Sequence, residues 1–334
     1  SFRFLAVKQS YFIRRNFVFE YVKEGIHLPK FLNTLKELRT LRKQKKLRIH
    51  SSVKRRRSRK KMDKFVEKNW PGGYIILDTG DFLYVPKIID YTGHQRLIEP
   101  FREEPIISKF CKPGMTVLDV GANIGEWTLT MASGVGAQGR VYSFEPTPFL
   151  LDALNKTVVA NQFNQVTVSP YALSDKSKTM DFYIQYDENE LLDARLSRLD
   201  SPADFKEWIT DGKKAKKIQV ETITLDEFAV KEKLERLDFI KIDAEGYESA
   251  IVEGGLTVLK KFRPNLILEC GGVYDSEEKR KRMVTRLREL DYSLVGWPVM
   301  SGIVEVTWDQ FINLSFPMDP EQAVNLLFVQ LPRT

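Results

Sequence analysis

The segment Val117-Leu118-Asp119-Val120-Gly121-Ala122-Asn123-Ile124-Gly125 runs from a β-like apolar stretch through an acid and two glycines into the helical pattern Trp127-Thr128-Leu129-Thr130-Met131. Gly121 and Gly125 lack the side chain that would keep a ligand from the backbone, and a helix N-terminus beside them offers free N–H groups. Asp119 stands at a strand's C-terminal end, where open α/β sheets bind ligands, and suits a cationic ligand group better than a pyrophosphate. A glycine turn can equally be a plain structural turn, so the other strand ends carry weight. Val141-Tyr142-Ser143-Phe144-Glu145 ends in an acid 20 residues beyond Gly125. From that position a carboxylate reaches the ribose hydroxyls of a bound nucleoside. Asp175, in Ala172-Leu173-Ser174-Asp175, either meets an adenine edge or caps a turn. Phe239-Ile240-Lys241-Ile242-Asp243-Ala244-Glu245-Gly246-Tyr247-Glu248 then projects Asp243 and Glu245 from one strand end, with Glu248 just inside the next helix. Clustered acids hold a raised pKa, bind a divalent cation, or accept a proton from a substrate hydroxyl. Asp243 is the first choice for such a base and Glu245 the second. Glu269-Cys270-Gly271-Gly272 ends a fifth strand in the same place. Cys270 has no histidine near it in sequence and reads as a small buried residue rather than a nucleophile.

These residues need a scaffold that brings successive strand ends to one edge. Strands are expected at Thr116 to Val120, Arg140 to Glu145, Gln165 to Tyr171, Phe239 to Asp243 and Asn265 to Glu269, with helices starting near Gly125, Phe149, Leu225, Tyr247 and Asp275. That alternation predicts a mostly parallel sheet with helices on both faces. Ser293 to Trp297 and Asn325 to Gln330 suit a closing antiparallel pair at one edge. Tyr74 to Leu77 and Phe82 to Val85 read as a hairpin outside the main sheet. Ser177 to Val220 is irregular, polar and Lys-rich, and is expected to be an excursion above the sheet.

Of 334 residues, 43% are hydrophobic and 29% charged, an ordinary globular composition. Two cysteines, Cys111 and Cys270, and three histidines, His27, His50 and His94, exclude a disulfide scaffold and argue against a Cys/His zinc site. No apolar run approaches the roughly 20 residues that a spanning helix needs, so a soluble or surface-bound protein is expected. The net charge of +7 is unevenly placed. Residues 1–69 hold 22 Lys+Arg against 5 Asp+Glu, and the remainder 30 against 40. The composition changes at Asn69-Trp70-Pro71-Gly72-Gly73, which predicts a basic, partly helical extension over 1–69 and one catalytic-type domain over 70–334. Within the extension, Phe31, Leu32, Leu35, Leu38 and Leu41 recur at helical spacing, and Lys54 to Lys61 is almost wholly basic. Such an arm suits an anionic partner, either RNA or an anionic membrane surface. The expected location is cytoplasmic, with a mitochondrial one as the alternative suggested by the Phe-, Tyr- and Arg-rich first 22 residues.

The motifs Val-Leu-Asp-Val-Gly-Ala-Asn-Ile-Gly at 117–125, Phe-Glu-Pro at 144–146, Ala-Leu-Ser-Asp at 172–175, Thr-Leu-Asp-Glu-Phe at 224–228, Lys-Ile-Asp-Ala-Glu-Gly-Tyr-Glu at 241–248 and Arg-Pro-Asn-Leu-Ile-Leu-Glu at 263–269 together resemble FkbM-type methyltransferases. The resemblance covers roughly residues 70–275. It implies a Rossmann-like class I methyltransferase fold with a mostly parallel seven-stranded sheet, S-adenosylmethionine as cofactor, and a hydroxyl of a sugar, glycan or related small molecule as methyl acceptor. By position, Asp119, Gly121, Asn123 and Gly125 would line the methionine end and Glu145 the ribose, while Asp243, Glu245 and Glu248 would face the acceptor. Related sugar O-methyltransferases bind a divalent cation at such an acidic strand end, which would make Asp243 a ligand, but the resemblance does not require a metal and none is assigned. The competing reading keeps the fold as a component or assembly factor of an RNA–protein particle, held by the basic arm.

Overall fold

The structure is a computed structural model that describes residues 69–77, 79–87, 107, 109–186, 192–199, 214–271, 276–299, 302–314 and 323–330. The basic run and the helix expected within residues 1–68 lie outside the described residues. In chain order the strands are β1 Gly73–Ile76, β2 Phe82–Val85, β3 Thr116–Val120, β4 Arg140–Phe144, β5 Val166–Ser169, β6 Ala172–Leu173, β7 Thr179–Tyr186, β8 Leu192–Leu199, β9 Lys214–Ile223, β10 Phe239–Ile242, β11 Asn265–Gly271, β12 Tyr292–Val299, β13 Gly302–Glu305 and β14 Ala323–Gln330. The helices are α1 Glu126–Val135, α2 Pro148–Ala160, α3 Leu225–Lys231, α4 Glu248–Glu253, α5 Leu256–Phe262, α6 Glu277–Glu289 and α7 Trp308–Ile312. None of the helices among the described residues is long and apolar enough to cross a membrane.

The main sheet has the order β13-β12-β14-β11-β10-β3-β4-β5. β3, β4, β5, β10 and β11 run parallel, while β14 is reversed and pairs antiparallel with β11 on one side and β12 on the other. This is the Rossmann-like arrangement expected, with one strand more: β13 extends the edge beyond the expected seven by pairing with β12. The strand order reverses between β3 and β10, and their C-terminal ends therefore open the crevice in which such sheets bind ligands.

β3 is buried at all five positions and β10 at all four, which accounts for their near-continuous apolar sequences. Leu118, Val120, Ile240 and Ile242 join one core cluster with α3, α4 and α6, while Val117, Phe239 and Ile267 join another under α1 through Trp127, Met131 and Val135. The period of two thus puts Asp119 and Lys241 on the α1 side, in the middle of apolar strands. Register makes them direct neighbours, with Ser143 on the other flank of Asp119.

Capping holds the surrounding helices in place. Thr224 accepts from the Glu227 N–H at 3.0 Å, Ser276 from the Lys279 N–H at 3.2 Å, and Thr307 forms a capping box with Gln310. Asp226 in α3 accepts from the N–H groups of Thr257 and Val258 at 3.1 and 2.8 Å, so α3 caps the first turn of α5. The β1–β2 hairpin lies outside the main sheet, as expected. It buries Leu83 and Val85 against Ile124, Leu129, Leu150 and Ala153, and Asn161 of α2 bonds both backbone groups of Phe82.

Residues 177–220 are more regular than their composition suggested. β7 and β9 pair antiparallel along eight residues, β8 pairs with β7, and β6 joins β9, giving a separate four-stranded sheet. The described residues of the excursion therefore lie outside the main sheet and are themselves largely strands.

Candidate active site at the crossing of β3 and β10

The turn after β3 touches the end of β10 directly. A Cβ on Gly121 would lie 1.8 Å from the Asp243 carbonyl oxygen, and one on Gly125 would lie 2.8 Å from Leu154 Cδ1 of α2. Both glycines have positive φ, +76° and +101°. Their first requirement is thus internal: one admits the neighbouring strand end and the other admits α2. Asn123 takes φ +50° between them, a conformation asparagine tolerates better than most residues.

Glu145 fixes this turn. Its Oε2 accepts the Asn123 N–H at 3.0 Å and its Oε1 the Thr147 N–H at 2.9 Å. Each oxygen keeps a second lone pair, so the carboxylate is oriented and still able to accept hydroxyl protons. Burial pushes its pKa up, and the backbone donors of Thr147 and Asn123 pull against that.

Asp119 is fully buried. Thr128 donates to its Oδ2 at 2.6 Å and in turn contacts the Ser143 hydroxyl at 2.8 Å. Asp119 Oδ1 has no hydrogen-bond donor. The Lys241 ammonium lies 3.7 Å from that oxygen, 3.3 Å from Asp243 Oδ2 and 3.1 Å from the Gly121 carbonyl, which accepts from it. It also stands 5.4 Å from the centre of the Trp127 ring. Burial raises the Asp119 pKa, opposed by Lys241 and Thr128. Burial alone would push Lys241 toward neutrality, but Asp243 and then Asp119 more than offset it and hold the ammonium above the ordinary lysine value.

On the far side of Asp243 lie Glu245 and Glu269. Carboxylate oxygens of the three, all partly buried, fall within 4.8 Å of one another. Their donor type and spacing are those a hard divalent cation accepts. Crowding also explains them without an ion: burial, then the charges of Asp243, Glu245 and Glu248, and a hydrogen bond to Asp243 raise Glu269 well above the usual carboxylate range. Glu248 is buried and accepts from the Ala244 and Gly246 N–H groups at 2.8 and 3.3 Å. It holds the turn that carries Glu245, whose φ is +50°. Burial first, against those backbone bonds, takes its pKa to about 7. Lys279 of α6 donates to the Gly246 carbonyl at 3.0 Å and lines a small cleft with Glu248, Ser249, Glu269, Cys270 and Met283.

The structure thus gathers Asp119, Gly121, Asn123, Glu145, Asp243 and Glu245 about one crevice, with Gly125 packing the base of α1. Asp175 stands apart, exposed beyond β6, with Ser174 donating to it at 3.2 Å. No hydrogen bond among the described residues ties it to the Gly121 turn. Trp127 packs in the core under α1, Tyr247 packs against two clusters, and Cys270 is buried, so none of the three is presented as a reactive group. Sequence reasoning gave no role to Lys241, Glu269, Thr128 or Ser143. A lysine between two isoleucines of a four-residue apolar strand, in register with an aspartate of the next, was the available signal for the first.

The family model for the methyltransferase FkbM domain matches residues 119–294, a span that begins at Asp119 and contains the whole crevice. The chain belongs to the FkbM methyltransferase family. Among curated proteins it is similar to the 2-O-methyltransferase NoeI of Sinorhizobium fredii, 26% identical over 163 residues that cover 47% of this chain. The aligned part spans 64% of that relative's length. Solved structures with a likeness to this FkbM chain include the methyltransferase FkbM of Methylobacillus flagellatus, 15% identical, with a TM-score of 0.39 over 68% of this chain and 50% of that one. A SAM-dependent methyltransferase of Aquifex aeolicus is 14% identical, with a TM-score of 0.36 over 71% and 96%.

Proposed function

We propose that this FkbM methyltransferase uses S-adenosylmethionine to methylate a hydroxyl of a sugar, glycan or related small molecule. The observation that carries the reading is the cluster at the C-terminal ends of β3, β4 and β10, where an oriented carboxylate, Glu145, and a buried acid with one unpaired oxygen, Asp119, stand beside the acidic end of β10. The residues fit the cofactor on that ground: Asp119 Oδ1 lacks a donor of the kind an ammonium brings, and Glu145 keeps lone pairs for ribose hydroxyls. When bound, S-adenosylmethionine supplies a methyl group already activated on a sulfonium.

The task left to the chain is positioning and proton management. Asp119 sets negative charge against the methionine end, Gly121 and Asn123 shape the turn beneath it, and Glu145 holds the ribose. Asp243, partly exposed and fixed through Oδ2 by Lys241, takes the acceptor's hydroxyl proton, with Glu245 as the alternative base. Burial and the neighbouring acids push Glu269 well above the usual carboxylate range, which weakens its competition with Asp243 for positive charge. No step needs a metal. The similarity to NoeI, a 2-O-methyltransferase, supports oxygen as the acceptor atom.

Calorimetry with S-adenosylhomocysteine tests the cofactor, and transfer of labelled methyl from S-adenosylmethionine to a panel of mono- and oligosaccharides tests the acceptor. Binding with micromolar affinity and label on a sugar oxygen are expected. An intact, folded chain that gives no heat would end the cofactor reading, and label on a nitrogen or on RNA would end the sugar-hydroxyl one.

A further inference from the structure

The polar row across β10, β3 and β4 joins Lys241, Asp119 and Ser143 inside an otherwise apolar layer, with Thr128 above it. A buried ion pair that served stability alone would close to hydrogen-bonding distance, because desolvating two charges is recovered only by good geometry. This pair does not close. Lys241 gives its two shorter contacts to the Gly121 carbonyl at 3.1 Å and to Asp243 Oδ2 at 3.3 Å, and stays 3.7 Å from Asp119 Oδ1. That separation is beyond a hydrogen bond yet well within Coulombic reach in a buried site. Asp119 is therefore compensated in charge while its Oδ1 remains without a donor. Its other oxygen is fixed by Thr128.

We infer that Lys241 is a positioning residue for cofactor binding, acting through Asp119: its ammonium keeps that carboxylate ionised without occupying Oδ1, and its bond to Gly121 fixes the turn beside it. The inference rests on the proposed S-adenosylmethionine site. Through Asp243 the same ammonium ties the acceptor side of the crevice to the cofactor side, so one buried cation serves both acids.

The test uses the full chain and S-adenosylhomocysteine, with affinity by calorimetry and melting temperature measured for the wild type, Lys241→Met, Asp119→Asn and the double variant. Lys241→Met and Asp119→Asn are each expected to weaken binding at least roughly tenfold, the scale of one bond to a charged group. The double variant should bind no worse than Asp119→Asn alone. Lys241→Met should melt below the wild type, since it strands a buried carboxylate, and the double variant should regain most of that loss without regaining affinity. A merely structural lysine gives the opposite pattern, with affinity returning along with melting temperature. That result would overturn the inference, as would Lys241→Met binding within threefold of the wild type or losses that multiply in the double variant. A wild type that does not bind the nucleoside removes the cofactor reading, and the inference with it.

Discussion

Glu248 makes the acidic end of β10 sensitive to pH in a direction that can be calculated. Its carboxyl titrates near 7 in the folded chain against 4.5 ordinarily, because burial disfavours the charged form more than the Ala244 and Gly246 N–H groups favour it. A carboxyl raised in this way stabilises the fold when protonated: the contribution is complete below 4.5, fades as pH rises, and is gone above about 7. At roughly 1.4 kcal/mol for each pH unit between the two values, the whole effect is about 3 kcal/mol. Relaxation around the buried charge lowers the realised effect, so about 2 kcal/mol is expected from Glu248. Glu248→Gln keeps a carbonyl for both N–H groups and removes the charge. Urea unfolding of the variant and the wild type at pH 5 and pH 8.5 should show nearly equal stability at the lower pH and a gain of about 2 kcal/mol for the variant at the higher one. An equal gain at both pH values, or a loss at pH 8.5, would refute the assignment of a buried, charge-penalised carboxyl.

Other outcomes follow from the same geometry. Glu145→Gln should weaken S-adenosylhomocysteine binding roughly tenfold in calorimetry, because an amide gives up one of two acceptors on which the turn and the ribose both draw. Asp243→Asn should lower the rate of methyl transfer by about a hundredfold or more in the label-transfer assay, the scale of a lost general base, with nucleoside affinity changed less than threefold. Gly121→Ala should lower stability by about 3 kcal/mol, combining a left-handed backbone with the clash on the Asp243 carbonyl, and thermal unfolding with and without nucleoside would read it. Gly254→Ala meets the Ser174 carbonyl at 2.2 Å and should lower the melting temperature, which thermal unfolding would read.

Much of the fold was legible because the central parallel strands β3 and β10 are buried on both faces and read as apolar runs bounded by turns. The strand Thr116–Val120 agrees residue for residue with its expectation, and the antiparallel pair β12 and β14 closes the sheet where the C-terminal candidates were placed. Residues 177–220 were misread as irregular because β9 alternates weakly. Its Lys214, Lys216 and Lys217 are exposed, and only near Val220 does the strand enter a core. A sheet that faces solvent with lysines carries little of the periodicity from which strands are recognised. The edge strand β13 was missed for a related reason: Ile303 and Val304 are both exposed, so no one-sided pattern marks it.

The site divides along the same line. Asp119, Glu145 and Asp243 announce themselves as acids at strand ends, where position alone suggests a role. Lys241 does not, because its meaning lies in register: only when β10 is laid beside β3 with Lys241 against Asp119 does a lysine in an apolar strand become one end of an ion pair. Glu269 is the same case across β11, since burial and then three acids from another part of the chain raise its pKa. A strand-end carboxylate can be found by reading one strand, whereas a buried charge must be read with its neighbours, because burial is tolerable only where an opposite charge or a proton meets it. The prediction for Lys241→Met therefore tests more than one residue. If removing the ammonium leaves nucleoside affinity intact, Asp119 does not act as a charge, and the acid that opened the argument from sequence would be a structural part of the turn.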